Sequence, residues 1–172
     1  MPILRILAVA SALAASTFAS AEIAQRHDDG FVLKRETTVQ ASPQAVYRAL
    51  GQVDRWWDGA HTWSGSAANL SLALAPGGCF CERLDGGGVE HGRVLTAWPG
   101  KTLRLQAALG PLQAMTTDAL LTFELAPDGE GTKLTMTYAV NGRGLGALAG
   151  PVDGVMSGQF DRLARHAAGE AP

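Results

Sequence analysis

The stretch TKLTMTYAVNGRGLGALAGPVDGVMSGQFDRLARHA, residues 132–167, changes its period once, and that change decides the fold. From Thr132 to Val140, the apolar Leu134, Met136, Tyr138 and Val140 alternate with Lys133, Thr135 and Thr137. A period of two marks a strand with one buried face. After a glycine-rich link, Val152, Val155, Met156, Phe160, Leu163 and Ala167 recur on one face at the helical period, with Asp153, Ser157, Asp161 and Arg165 off it. This pattern predicts a long amphipathic C-terminal helix.

Working upstream, strand patterns recur at Ala119–Leu125, Thr102–Ala107, Val89–Trp98, Cys79–Leu84 and from Asn69 through Leu70, Leu72 and Leu74. They are separated by Pro127 to Gly131, the Gly110-Pro111 region, Pro99-Gly100, Asp85 to Gly88 and Pro76-Gly77-Gly78, which is turn chemistry. Connections this short favour an antiparallel meander. Before them, Phe31 to Gln40 reads as a first strand and Glu22 to Gly30 as polar and loose. Ser42 then offers its hydroxyl as an N-cap and Pro43 suits the first helical position, where no N–H is needed. Val46, Tyr47 and Leu50 give that short helix an apolar face, Gly51 ends it, and Val53 to Trp57 reads as a second helical turn. The expected class is therefore α+β: a curved, seven-stranded antiparallel sheet wrapped around a long C-terminal helix, with two short helices after strand 1.

The N-terminus reads differently. Arg5 supplies one positive charge, Ile6 to Ser16 is almost wholly apolar, and Ala19-Ser20-Ala21 offers a signal-peptidase site. The expectation is a signal peptide over 1–21, cleaved before Glu22, and a single domain over 22–172. A spanning helix needs roughly 20 apolar residues, and this run is shorter. No Cys lies near the cleavage point and no Arg pair precedes the apolar run, so neither lipid attachment nor twin-arginine export is expected. The product would be periplasmic or secreted, with no stable membrane insertion after cleavage. A net charge of −2 leaves no electrostatic footprint for nucleic acid.

Several short motifs in order carry a resemblance over residues 32 to 168. They are Ala41-Ser42-Pro43 with Val46-Tyr47, Arg55-Trp56-Trp57, His61-Thr62-Trp63-Ser64-Gly65 and Gly77-Gly78-Cys79-Phe80-Cys81-Glu82. Leu109-Gly110-Pro111-Leu112-Gln113, Gly131-Thr132-Lys133-Leu134 and Val152-Asp153-Gly154-Val155 complete the set. In these the chain resembles the START-like SRPBCC superfamily, in its bacterial polyketide cyclase-like and chaperone-ATPase-activator-like branch. The resemblance implies the helix-grip fold, a sheet gripping the C-terminal helix over a hydrophobic cavity. It does not imply one activity. An exported protein does not meet a cytosolic ATP-dependent chaperone, so activation of one is not expected.

Cyclase-type chemistry needs a positioned acid or base inside a dry cavity. If Cys79–Leu84 folds back on Val89–Trp98, His91 can lie opposite Cys81, with Cys79, Cys81 and His91 on one face. A register slipped by one residue pairs Glu82 with His91 instead and turns both cysteines to the other face. The first register would make a thiol–imidazole pair or two soft metal ligands, but a structural zinc site wants four and no fourth is evident. Neither metal nor cofactor is expected. Cys79 and Cys81, two apart on a strand and about 6 to 7 Å along it, are expected not to bond to each other. Glu82 and Arg93 can equally form a solvated cross-strand pair.

Trp57, His61 and Trp63 bracket the loop where the cavity mouth would lie, and amphipathic indoles suit a half-wet site. Alternatively, Trp56 and Trp57 simply cap the core. Phe123, Tyr138, Met156 and Phe160, with Cys81, Glu82 and His91, complete the expected ligand-binding set. The functional expectation is binding of a small apolar or amphipathic molecule. An enzyme acting on such a molecule, or a scaffold for a protein partner, are the alternatives.

Overall fold

Strand pairing accounts for most of the architecture, which a computed structural model describes for residues 22–172. The expected signal segment, with its cleavage point after Ala21, lies outside the described residues. The strands are β1 (Glu22–His27), β2 (Gly30–Val39), β3 (Leu70–Leu72), β4 (Cys79–Leu84), β5 (Gly87–Trp98), β6 (Thr102–Gln106), β7 (Asp118–Asp128) and β8 (Gly131–Asn141). All pair antiparallel in one sheet of order β1-β2-β8-β7-β6-β5-β4-β3. Phe31 and Leu33 of β2, Leu134, Met136 and Tyr138 of β8, and Leu121 and Phe123 of β7 point to one side and are buried. That side faces the long helix α3 (Ala149–Ala167), whose Met156, Phe160 and Leu163 close the core.

Between β2 and β3 run α1 (Pro43–Gly51) and α2 (Val53–Trp56). The Ser42 hydroxyl accepts from the Ala45 amide, as its N-cap reading requires, and Val46, Tyr47 and Leu50 are buried. The fold expected from the sequence is thus present, with one strand more than seven. That strand is β1, in the segment read as loose. Its side chains from Ile23 to His27 are exposed, so it carries no apolar alternation, and backbone pairing to β2 holds it at the sheet edge. Among the described residues no helix is long and apolar enough to cross a membrane.

Two local features bear on the site. In the β4/β5 ladder Phe80 pairs with Gly92 but Cys81 pairs with Glu90, so β5 carries one extra residue, His91. Such a bulge bends the strand and re-aims a side chain. On α3, Gly150, Gly154 and Gly158 lie one turn apart on the exposed side, and a Cβ at any of them would meet open space.

One expectation is overturned. Cys79 and Cys81 are joined by a disulfide, with their Cα atoms 5.4 Å apart. An ideal extended strand would hold them farther apart. The observed separation lies within the span of about 4.4 to 6.8 Å that a bridge can close.

Candidate functional site

The bulge decides which side chains meet. Phe80 and Glu82 of β4 turn inward with His91, while the bridged Cys79 and Cys81 occupy the other face. Of the two registers the sequence allows, the faces follow the second, with the extra residue supplying the offset. Cys81 is therefore removed from the candidate site, and no thiol stands beside the imidazole. Arg93 pairs on the outer face with Glu90 and not with Glu82.

Glu82 is the organising residue. Its side chain is 0% exposed, and that of His91 is 7% exposed. The carboxylate accepts from the Trp63 amide at 3.0 Å, from the Ser64 amide at 2.5 Å and from His91 Nε2 at 2.9 Å. Burial pushes its pKa up, but the hydrogen bonds from Ser64, from the Trp63 amide and from His91 outweigh burial and hold it below the usual carboxylate range. One strand residue thus ties the loop after α2 to the imidazole.

That loop is also anchored to α3. The buried Gln159 carbonyl accepts from the Asp58 amide at 2.8 Å, and Arg162 Nε donates to the Trp56 carbonyl at 2.7 Å. Trp57 packs between Trp56 and Phe80, at ring-centroid distances of 5.5 and 5.4 Å, and its Nε1 donates to the His61 carbonyl. Phe80 in turn lies 5.0 Å from the His91 ring.

These groups border a cavity of about 470 Å³ between the loop, the first half of α3 and a 3-10 turn at Gly110–Ala114. Trp57, His61, Trp63, His91 and Met156 line it. Trp57 is 7% exposed and Trp63 58% exposed, so the first is wall and core together while the second stands at the rim. Glu82 lies behind His91. Phe123, Tyr138 and Phe160 belong to the packed core and do not line the cavity.

Sequence reasoning missed the opposite wall. Leu109, Pro111, Leu112 and Met115 come from a segment read as a break between strands, because Gly110 and Pro111 are turn residues, and as part of the resemblance, but not as cavity lining. Gly110 has a φ of 54°, a left-handed value that lets the chain leave β6 and coil at once. Tyr138 fixes that exit from below. Its hydroxyl donates to the Ala107 carbonyl at 2.9 Å and accepts from the Leu109 amide at 3.1 Å. Tyr138→Phe leaves both backbone groups unsatisfied and should lower the unfolding free energy by about 1 to 3 kcal/mol, read as a lower urea midpoint at unchanged slope. Burial pushes the Tyr138 pKa up to about 12 from 10.0. Its contribution is therefore full below pH 10 and lost as pH rises through about 12, a loss Tyr138→Phe should not show.

Chemically, the arrangement offers a carboxylate-oriented imidazole at the edge of an apolar space. His91 Nδ1 has no hydrogen-bond partner among the described residues. No group of three His, Cys, Asp or Glu among the described residues is placed to hold a metal ion.

Among solved structures, an uncharacterised protein from Rhizobium leguminosarum is similar over 90% of this chain and 100% of its own, at 22% identity and a TM-score of 0.62. The Mll3558 protein from Rhizobium loti is 27% identical, covering 77% of this chain and 94% of that one, with a TM-score of 0.56. The Aha1 dimer from Colwellia psychrerythraea covers 80% and 96% at 20% identity and a TM-score of 0.60, a likeness of fold alone. No curated protein matches the chain. A family model matches residues 31–168, from the start of β2 to the end of α3. With that match over β2 to β8 and the gripped helix, the chain belongs to the polyketide cyclase / dehydrase and lipid transport family.

Proposed function

We propose that this protein is exported and binds a small apolar or amphipathic molecule in the cavity between α3 and the loop after α2. The observation that carries the reading is a largely apolar cavity of about 470 Å³ bordered by Trp57, Trp63 and Met156, with the Nδ1 of His91 unpartnered among the described residues at its edge. Small-molecule sites are of this kind: apolar walls with few polar groups that fix orientation. The family's description, with its mention of lipid transport, agrees. Export is supported by Arg5, the apolar run after it and Ala19-Ser20-Ala21.

A neutral fluorescent probe such as N-phenyl-1-naphthylamine should bind saturably with a Kd of micromolar order, about 8 kcal/mol, and shift tryptophan emission through Trp57. No saturable binding up to millimolar probe would sink the reading and leave the partner-scaffold alternative.

The Glu82–His91 pair favours a second reading, in which His91 is a general base oriented by Glu82 and acts on the bound molecule. It makes a separate demand: His91→Gln must abolish turnover while probe affinity stays within a few-fold.

A further inference from the structure

The polar groups around the cavity are unequally committed, and the inequality selects a ligand chemistry. Trp57 Nε1 donates to the His61 carbonyl and the Thr62 hydroxyl to the Gly59 carbonyl, so neither donor is free. Among the described residues no Lys, Arg, Asp or Glu lines the cavity, and the exposed His61 imidazole at its rim, like His91 Nδ1, has no hydrogen-bond partner there. Glu82, behind His91, takes three donors into its carboxylate and can accept only. Nε2 of His91 must then carry its proton toward Glu82. In a neutral imidazole with Nε2 protonated, Nδ1 is an acceptor, and this nitrogen has no partner among the described residues.

We infer that the cavity takes a neutral apolar or aromatic molecule bearing a hydroxyl, such as a phenol or enol, which donates its hydrogen bond to His91 Nδ1, and that it turns away apolar carboxylates. With His91 and His61 neutral, an entering carboxylate would find no Lys or Arg in the described wall and would face the Glu82 charge across one imidazole ring, in surroundings that screen it far less than water does. A hydroxyl meets neither obstacle and satisfies the open acceptor. This inference rests on the binding reading above and specifies the ligand for the same cavity.

Three probes of nearly equal size separate the possibilities: 2-naphthol, 2-methoxynaphthalene and 2-naphthoate, titrated against the full mature chain at a pH where the naphthol is neutral, with calorimetry or tryptophan quenching as readout. The naphthol should bind roughly five- to tenfold more tightly than the methoxy compound, the value of one hydrogen bond, and at least tenfold more tightly than the naphthoate. His91→Leu should erase the difference between naphthol and methoxynaphthalene. Equal binding of all three, tighter binding of the naphthoate, or a naphthol preference that survives His91→Leu would overturn this inference and leave the binding reading standing. Binding of none would overturn both. The wild-type comparison decides by itself if the variant does not fold.

Discussion

Glu82→Ala is expected to lower the unfolding free energy by about 3 to 5 kcal/mol, the range for removing one partner of a buried pair. The magnitude follows from what the carboxylate holds. Its loss leaves His91 Nε2 and the Trp63 and Ser64 amides without an acceptor, in a place where its own side chain is 0% exposed. The loop after α2 also loses its tie to the sheet, so the rim at Trp63 should loosen along with the global loss. Glu82→Gln keeps an acceptor and should cost less. The pH dependence separates the two causes. Because the folded-state pKa of Glu82 is lowered from 4.5, its charge contributes stability that is present above pH 4.5 and lost as pH falls through the lowered value. Wild-type denaturation curves collected downward from neutral pH should show that loss, and Glu82→Gln should show less of it. A Glu82→Ala protein within 1 kcal/mol of wild type would mean the carboxylate does not organise the site.

The second large effect is expected at Trp57. Truncation to Ala removes an indole packed against Trp56 and Phe80 and frees the His61 carbonyl, at a position 7% exposed. Large-to-small changes of this kind cost about 3 to 5 kcal/mol. The same substitution opens the cavity wall, so probe affinity should fall together with the denaturation midpoint. Trp63, at 58% exposure, gives the contrast: its truncation should change stability by less than about 0.5 kcal/mol while altering the rim. Equal destabilisation by the two replacements would contradict the division between wall and rim.

How much of this was legible in the sequence depends on where the information resides. β8 and α3 announce themselves because Leu134, Met136 and Tyr138, and then Met156, Phe160 and Leu163, are spaced by the period of the element they build. The start of α1 is equally local, being a hydroxyl cap followed by proline. β1 was illegible because an edge strand with exposed side chains is specified by backbone hydrogen bonds, which every sequence possesses. The cavity wall at Gly110–Ala114 was hidden by the same residues that build it, since Gly110 and Pro111 signal a break whether the chain wanders or coils.

The site's central pair was legible only as an alternative. Whether His91 joins Glu82 or a cysteine is a question of strand register, and the extra residue in β5 is selected by packing across the sheet. The disulfide joins cysteines closer together than an ideal strand holds them, and so could not be foreseen from that ideal.

The glycines at 150, 154 and 158 give the two sides of the cavity different mechanical character. Gly154 and Gly158 lie inside the helix, where glycine is less favourable than alanine by about 1 kcal/mol, Gly150 lies in its first turn, and all three fall in the half of α3 that supplies Val152, Val155 and Met156 to the cavity wall. The other half is sealed by Gln159, Phe160 and Leu163. Amide hydrogen exchange along α3 should therefore run down a gradient, fast in the glycine-bearing turns and slow beyond Gln159. The cavity has one stiff side, made of sheet and Trp57, and one compliant side that yields at small cost. A compliant wall lets the enclosed volume follow the length and girth of its contents without passing strain to the sheet.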